Sequence, residues 1–501
     1  MPSLKKLVGQ TAVYGLSSIL GRFLNYLLVP LYTYKIAAES GGYGIVTNLY
    51  AYTALLLVLL TFGMETTFFY FANRDDVDSE KAFSTSAGAV GMVSLLFWLL
   101  CMVFGGPIAN VMDYEAHPEF IRIMATVVAL DSFQAILFAR LRYQNRAFKF
   151  AALKLAFIIA NIGLNLFIFL AAPALCERCP NLMNWYDPAY QVGYIFVINL
   201  ICTAAVTFGF IPELRSMRFD IDRGLLKQML RYTWPLLILG LVGILNQVAD
   251  KICYRFLVPG PEGEVQLGIY GACVKIAMLI AILTQAFRYA YEPFVFGGQK
   301  DKNSKEAQAT VMKYFVMFTL FAFLVVTLYL DVFKYIIKRD YWEGLKAVPI
   351  VMMAEIFMGV YFNLSFWYKL NKETWWGAIF SGIGCAGLLA VNFIFVPRFG
   401  YMACAWGGVV GYGICMLLSY IIGQKRNPIP YKLPAIFGYF ALAIVLYLAS
   451  YAVSTFLVDL HAAVKLLINT ALLLIYVFVL LYNERVVVRQ VIDSVKRKLK
   501  R

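Results

Sequence analysis

The chain has 501 residues, of which 61% are hydrophobic and only 15% charged, and its mean hydropathy is +0.71. A soluble domain is nearer half apolar and a quarter charged, so lipid rather than water is the solvent for this surface. Two histidines, His117 and His461, nearly exclude histidine-clustered metal sites and Ser/His/Asp or Cys/His catalysis, and the surplus of 44 basic over 29 acidic residues, +15, does not call for nucleic acid in such a chain.

A spanning helix needs about 20 mostly apolar residues. In chain order, fourteen stretches qualify: 10–34, 42–66, 83–105, 121–139, 153–173, 189–211, 233–256, 267–290, 311–330, 346–368, 375–396, 401–423, 434–457 and 464–483. The expected fold class is an all-α polytopic membrane protein of about 14 transmembrane helices, with connections too short to hide a large soluble domain. The first stretch contains Arg22, is too long for a cleavable signal peptide and has no small-residue cleavage site after it, so it reads as the first span. With the N-terminus inside, about 31 of the 44 lysines and arginines fall in inside segments and about seven in outside loops. That bias places both termini in the cytoplasm and favours anionic lipid heads on that side.

Seven cysteines are scattered in spans and read as buried thiols. Cys176 and Cys179 stand as C-E-R-C in an outside loop, open to a local disulfide or to no special role. After the last span, residues 484–501 put Val488, Val491, Ile492, Val495 and Leu499 on one helical face with Lys and Arg between them. This is either a basic amphipathic helix on the inner membrane surface or a solvated charged tail.

Tyr43-Gly44-Ile45-Val46 and the segment Phe62 to Phe71 are echoed about 224 residues later by Leu267-Gly268-Ile269-Tyr270 and Phe287 to Phe296. Unless this is chance apolar similarity, six spans separate equivalent points and the halves are parallel repeats. The expected organisation is an N-terminal lobe (1–212), a C-terminal lobe (213–424), two appended spans (425–483) and the basic tail (484–501). Two six-helix lobes suggest a transporter with a cavity between them and alternating access by rocking.

Ionisable groups inside spans cost a few kcal/mol on insertion scales and mark functional candidates. Arg22 either recognises phosphate through its five-donor fork or bridges to Asp131 or Asp250. Asp131 and Glu355 stand mid-span in equivalent helices and either carry a coupling ion, H+ or Na+, or pair structurally. Asp250 and Lys251 leave a helix in different directions, so the pair is expected to satisfy itself poorly. Lys275 lies deep in the eighth span, Arg288 and Glu292 near its inner end, and Pro293 is expected to end or kink it. Gly382-Ile-Gly384-Cys-Ala-Gly387 matches a dinucleotide pattern but lies within a span, where close helix packing explains it. The sequon Asn363-Leu-Ser365 falls inside the membrane.

Nearly the whole chain resembles the Wzx-type polysaccharide flippases, relatives of MATE-type multidrug exporters and of the lipid II flippase. The resemblance rests on Gly21-Arg22 through Pro30-Leu31-Tyr32, Tyr43-Gly44, Phe62-Gly63-Met64-Glu65, Leu230-Arg231 through Pro235-Leu236, Ala249-Asp250-Lys251, Gly268-Ile269-Tyr270, Lys275-Ile276-Ala277 and Ala286-Phe287 through Pro293-Phe294. It implies a two-lobed, MATE-like fold whose cationic cavity carries a polyprenyl-diphosphate-linked oligosaccharide across the bacterial inner membrane, with no cofactor and no bond made or broken. Arg22, Lys251, Lys275 and Arg288 would contact the diphosphate or sugar; Asp131, Asp250 and Glu355 would hold those cations or carry the coupling ion. The expected partners are the lipid-linked oligosaccharide, membrane lipids and polysaccharide polymerase or ligase machinery, with no nucleic acid. The competing readings are a MATE-like cation-coupled drug exporter, a lipid II flippase and a membrane polymerase or ligase.

Overall fold

A computed structural model of the protein describes residues 26–178, 184–215, 221–297, 304–371, 373–457 and 461–485. Among them, thirteen helices are long and apolar enough to cross a membrane, and no strand occurs. They coincide with the second to the fourteenth sequence stretches, which makes the chain a multi-pass membrane protein. The first stretch lies largely outside the described residues, as do Arg22, Cys179 and the tail from 486.

The helices used below are α1 (Leu28–Lys35), α2 (Gly42–Thr61), α3 (Met64–Ala72), α4 (Ser79–Val111), α5 (Pro118–Tyr143), α6 (Ala147–Leu166), α7 (Gln191–Gly209), α8 (Arg223–Leu257), α9 (Pro261–Gly297), α10 (Ser304–Leu328), α11 (Val348–Leu364), α12 (Phe366–Leu370), α13 (Trp375–Phe399), α14 (Tyr401–Arg426), α15 (Leu433–Phe456) and α16 (Ala462–Asn483). Successive spans alternate in direction. One face of the bundle therefore collects the described parts of the loops before α4, α6, α8, α13 and α15; the opposite face, basic-poor apart from Lys334, Lys338, Arg339 and Lys346, holds residues 36–42, 112–117, 258–261 and 334–347.

Starts and breaks follow local chemistry. Asp78 and Asp222 cap α4 and α8 by accepting from Glu80 N and Leu225 N. α2 and α3 form one span interrupted at Phe62 and Gly63, whose φ values are 35° and 75°. Thr233 on α8 donates to the freed Phe62 carbonyl at 2.5 Å, replacing the lost helical bond.

Helices α2 and α4–α7 pack together, as do α8, α9, α11, α13 and α14, while α15 and α16 pack on α10. Helix α2 lies against both α8 and α9. Small residues permit the tight crossings. A Cβ at Gly384 would sit 2.3 Å from Cys415 Sγ and 2.6 Å from the Gly411 carbonyl, so the apparent dinucleotide pattern is the α13–α14 contact. Asn363 and Ser365 are buried, which closes the sequon.

One sequence expectation, that Pro293 ends or kinks its span, needs correction as to the end. Helix α9 runs on past Pro293 to Gly297, because a span tolerates one missing N–H donor.

Candidate functional site

The last turns of α8 carry Asn246, Asp250, Lys251 and Arg255. Asp250 is 6% exposed, and Lys251 Nζ lies 3.0 and 2.9 Å from its two carboxylate oxygens. This corrects the expectation that the neighbours would not satisfy each other. Their Cα–Cβ bonds diverge, but the four-carbon lysine stem folds back over the carboxylate. The buried Tyr270 hydroxyl on α9 donates to Asp250 Oδ2 at 2.9 Å, and the Lys251 ammonium lies 5.6 Å from the Tyr270 ring centroid.

Two further ionisable groups share this field. Lys275 on α9 feels the charge of Lys251, and Glu355 on α11 feels both Lys251 and Asp250. Glu355 Oε2 is buried and accepts no hydrogen bond among the described residues. The structure therefore brings together four of the expected site residues, Asp250, Lys251, Lys275 and Glu355, with Tyr270 added.

Asp131 belongs to a second set. Its Oδ1 accepts from Thr203 at 3.4 Å, and its main charged neighbour is Lys154, beyond ion-pair distance. The Lys154 ammonium lies 4.1 Å from the Phe138 centroid, and the pair Glu65–Arg142, at 2.6 Å, also acts on it. Arg288 stands apart again. Thirteen residues of helix, about 20 Å of rise, separate it from Lys275, and its Nε donates to Glu292 Oε1 at 3.0 Å. Arg22 lies outside the described residues.

Above the α8 cluster, the basic-poor face is closed. A Cβ at Gly44 on α2 would lie 2.0 Å from the Glu264 carbonyl, and one at Gly268 would lie 2.9 Å from Gly44 N. The echoed glycines of the two halves thus face each other across the α2–α9 crossing. Beside them, Arg255 is 6% exposed and pairs with Glu264 at 2.7 Å and Asp113 at 3.6 Å, and donates to the Met112 carbonyl. Asn48 on α2 accepts from Tyr114 and donates to the Lys251 carbonyl at 2.9 Å, linking this latch to the charge cluster. Fully buried Tyr341, on the 339–347 turn, completes the seal by donating to the Ile36 carbonyl.

Sequence reasoning did not single out Arg255 or Lys154 as site residues. The signal for Arg255 was its i+4 spacing from Lys251, which puts both on one helical strip.

Residues 7–293, more than half the chain, match the family described as polysaccharide biosynthesis protein. The chain belongs to that family. Lipid II flippase MurJ, in an inward closed conformation, superposes with a TM-score of 0.68 at 15% identity, over 95% of this chain and 99% of its own. An inward-facing multidrug resistance MATE family transporter of the MOP superfamily gives 0.59 at 15%, over 81% and 94%. A MATE protein in the straight conformation gives 0.56 at 13%, over 84% and 95%. No curated protein matches the sequence. At these identities the likeness shows the fold, which is that of MurJ and the MATE transporters. By their names these neighbours are a flippase and transporters.

Proposed function

We propose that this member of the polysaccharide biosynthesis family is a flippase moving a polyprenyl-diphosphate-linked oligosaccharide from the cytoplasmic to the outer leaflet of a bacterial inner membrane by alternating access, for O-antigen, lipopolysaccharide or capsule assembly. The observation that carries the reading is the set of ionisable side chains on spanning helices, Lys251 ion-paired with buried Asp250 on α8 and Lys275 on α9, beneath the Arg255–Glu264 pair. A diphosphate cannot enter hydrocarbon alone, and intramembrane cations offset its desolvation. Arg22 and Arg288 are assigned to the same cargo at other depths.

In this reading the basic face is cytoplasmic, with both termini there, and the lobes divide as 1–212 and 213–424, followed by spans 425–483 and a membrane-surface tail at 484–501. Asp250 holds Lys251 in the empty cavity; Glu355, whose Oε2 has no hydrogen-bond partner among the described residues, takes the coupling H+ or Na+, and Asp131 balances Lys154. Polymerase or ligase machinery receives the product.

The test is leaflet-resolved cargo detection in cells carrying Lys251→Gln with Lys275→Gln. Accumulation on the cytoplasmic leaflet at normal protein level is expected; normal appearance outside refutes the assignment. The likeness to MurJ favours one rival, lipid II as cargo, which peptidoglycan precursor levels in the same cells would reveal.

A further inference from the structure

At the basic end of α9, two cations share one aromatic ring. The Arg288 guanidinium carbon lies 4.6 Å from the Phe362 centroid, and the Lys369 ammonium lies 4.6 Å from the same centroid and 5.1 Å from that of Phe366. Like charges held this close repel, and the charges acting on Lys369 are Arg288 and Glu292. Glu292 is bonded at the Nε edge of Arg288. Lys369 has no hydrogen-bond or ion-pair partner among the described residues. Among the described residues, two positive charges against one negative leave a net charge of +1 on an aromatic floor. The donors left over are the lysine ammonium and the terminal guanidinium nitrogens. That donor set suits the oxygens of a phosphoryl group, which takes a guanidinium fork and an ammonium point charge together.

The position matters as much as the chemistry. Lys275 is about 20 Å away along the same helix, so one phosphoryl group cannot touch both places. We propose that Arg288 and Lys369, floored by Phe362 and Phe366, form a separate phosphoryl-binding station at the basic face, where the cargo diphosphate docks before it reaches Lys251 and Lys275. This rests on the flippase reading and adds to it a second binding position and a residue, Lys369, with a role in cargo loading.

The test uses the full chain in phosphatidylcholine nanodiscs, with farnesyl diphosphate as probe and phosphatidylglycerol as competitor. Loss of one charge-assisted contact is expected to weaken probe binding roughly tenfold in Lys369→Gln and in Arg288→Gln. Lys369→Arg is expected to bind like the wild type, which separates loss of charge from loss of fold. Lys275→Gln alone is expected to leave binding at this station unchanged, because one phosphoryl group cannot touch both places. Wild-type binding by Lys369→Gln overturns the station. So does equal competition by phosphatidylglycerol at the same molar ratio, which marks a general headgroup site. If the wild-type protein does not bind farnesyl diphosphate at all, the flippase reading itself fails.

Discussion

Asp250 and Lys251 are adjacent in sequence and paired in space, and each is costly to leave alone in the membrane. Lys251→Met strands a carboxylate that is 6% exposed, which should cost about 3–5 kcal/mol of stability. The double variant Asp250→Asn, Lys251→Met removes both charges. It should recover most of that stability, measured by thermal unfolding in nanodiscs, without recovering cargo transport; recovery of both would make the pair structural only. A second ion pair is purely architectural. Glu484, just past α16, bonds Lys313 at 2.6 Å and Tyr314 at 3.0 Å. Burial pushes its carboxyl up, but these two bonds outweigh that and hold it below the usual carboxylate range. A depressed folded pKa stabilises the fold above the unfolded value and loses that stabilisation as pH falls through the folded value. Wild type should therefore melt above Glu484→Gln at pH 7, and the gap should close on acidification below the usual carboxylate range.

At the scale of elements, the α2–α9 crossing is the closure point of the basic-poor face. It exists because Gly44 and Gly268 lack Cβ atoms where the backbones meet. Gly44→Val should hold this face open. The measurement is labelling of a cysteine introduced as Asn48→Cys by an impermeant thiol reagent from the basic-poor side. Several-fold faster labelling in the valine background is expected, and Arg255→Gln should act in the same direction; unchanged labelling in both would mean that the seal lies elsewhere. Thirteen spans were legible in the sequence because apolar runs of this length have no other use, and the α13–α14 glycines were legible as packing. Individual charges were read less well. Span templates of about 20 residues cut α8 and α6 short and left Arg255 and Lys154 at the edges of their stretches, where neither was singled out. The pairing of Asp250 with Lys251 was hidden because helix geometry gives the direction of a Cβ, not the reach of a long lysine.

On the scale of the molecule, the echo of Tyr43-Gly44 at residues 267–268 pointed to repeats, and the fold of MurJ and the MATE transporters agrees with the all-α architecture read from the sequence. Which charges share one field could not be read, since Asp250 and Glu355 are more than a hundred residues apart and come into one field only because α8 and α11 both pack on α9 and α14. Glu355 then allows a test at this scale. Glu355→Gln should abolish the response of transport to an imposed H+ or Na+ gradient while leaving cargo binding intact; an unchanged gradient response would remove it from coupling. The central claim, outward movement of a diphosphate-linked glycan, is tested most directly by depleting the protein and probing sealed cells and inverted vesicles with a lectin or glycosidase. The expected result is lipid-linked oligosaccharide trapped on the cytoplasmic leaflet. Its normal appearance on the outer leaflet, with altered sensitivity to cationic drugs, would contradict the account and place the chain with the exporters of the same fold.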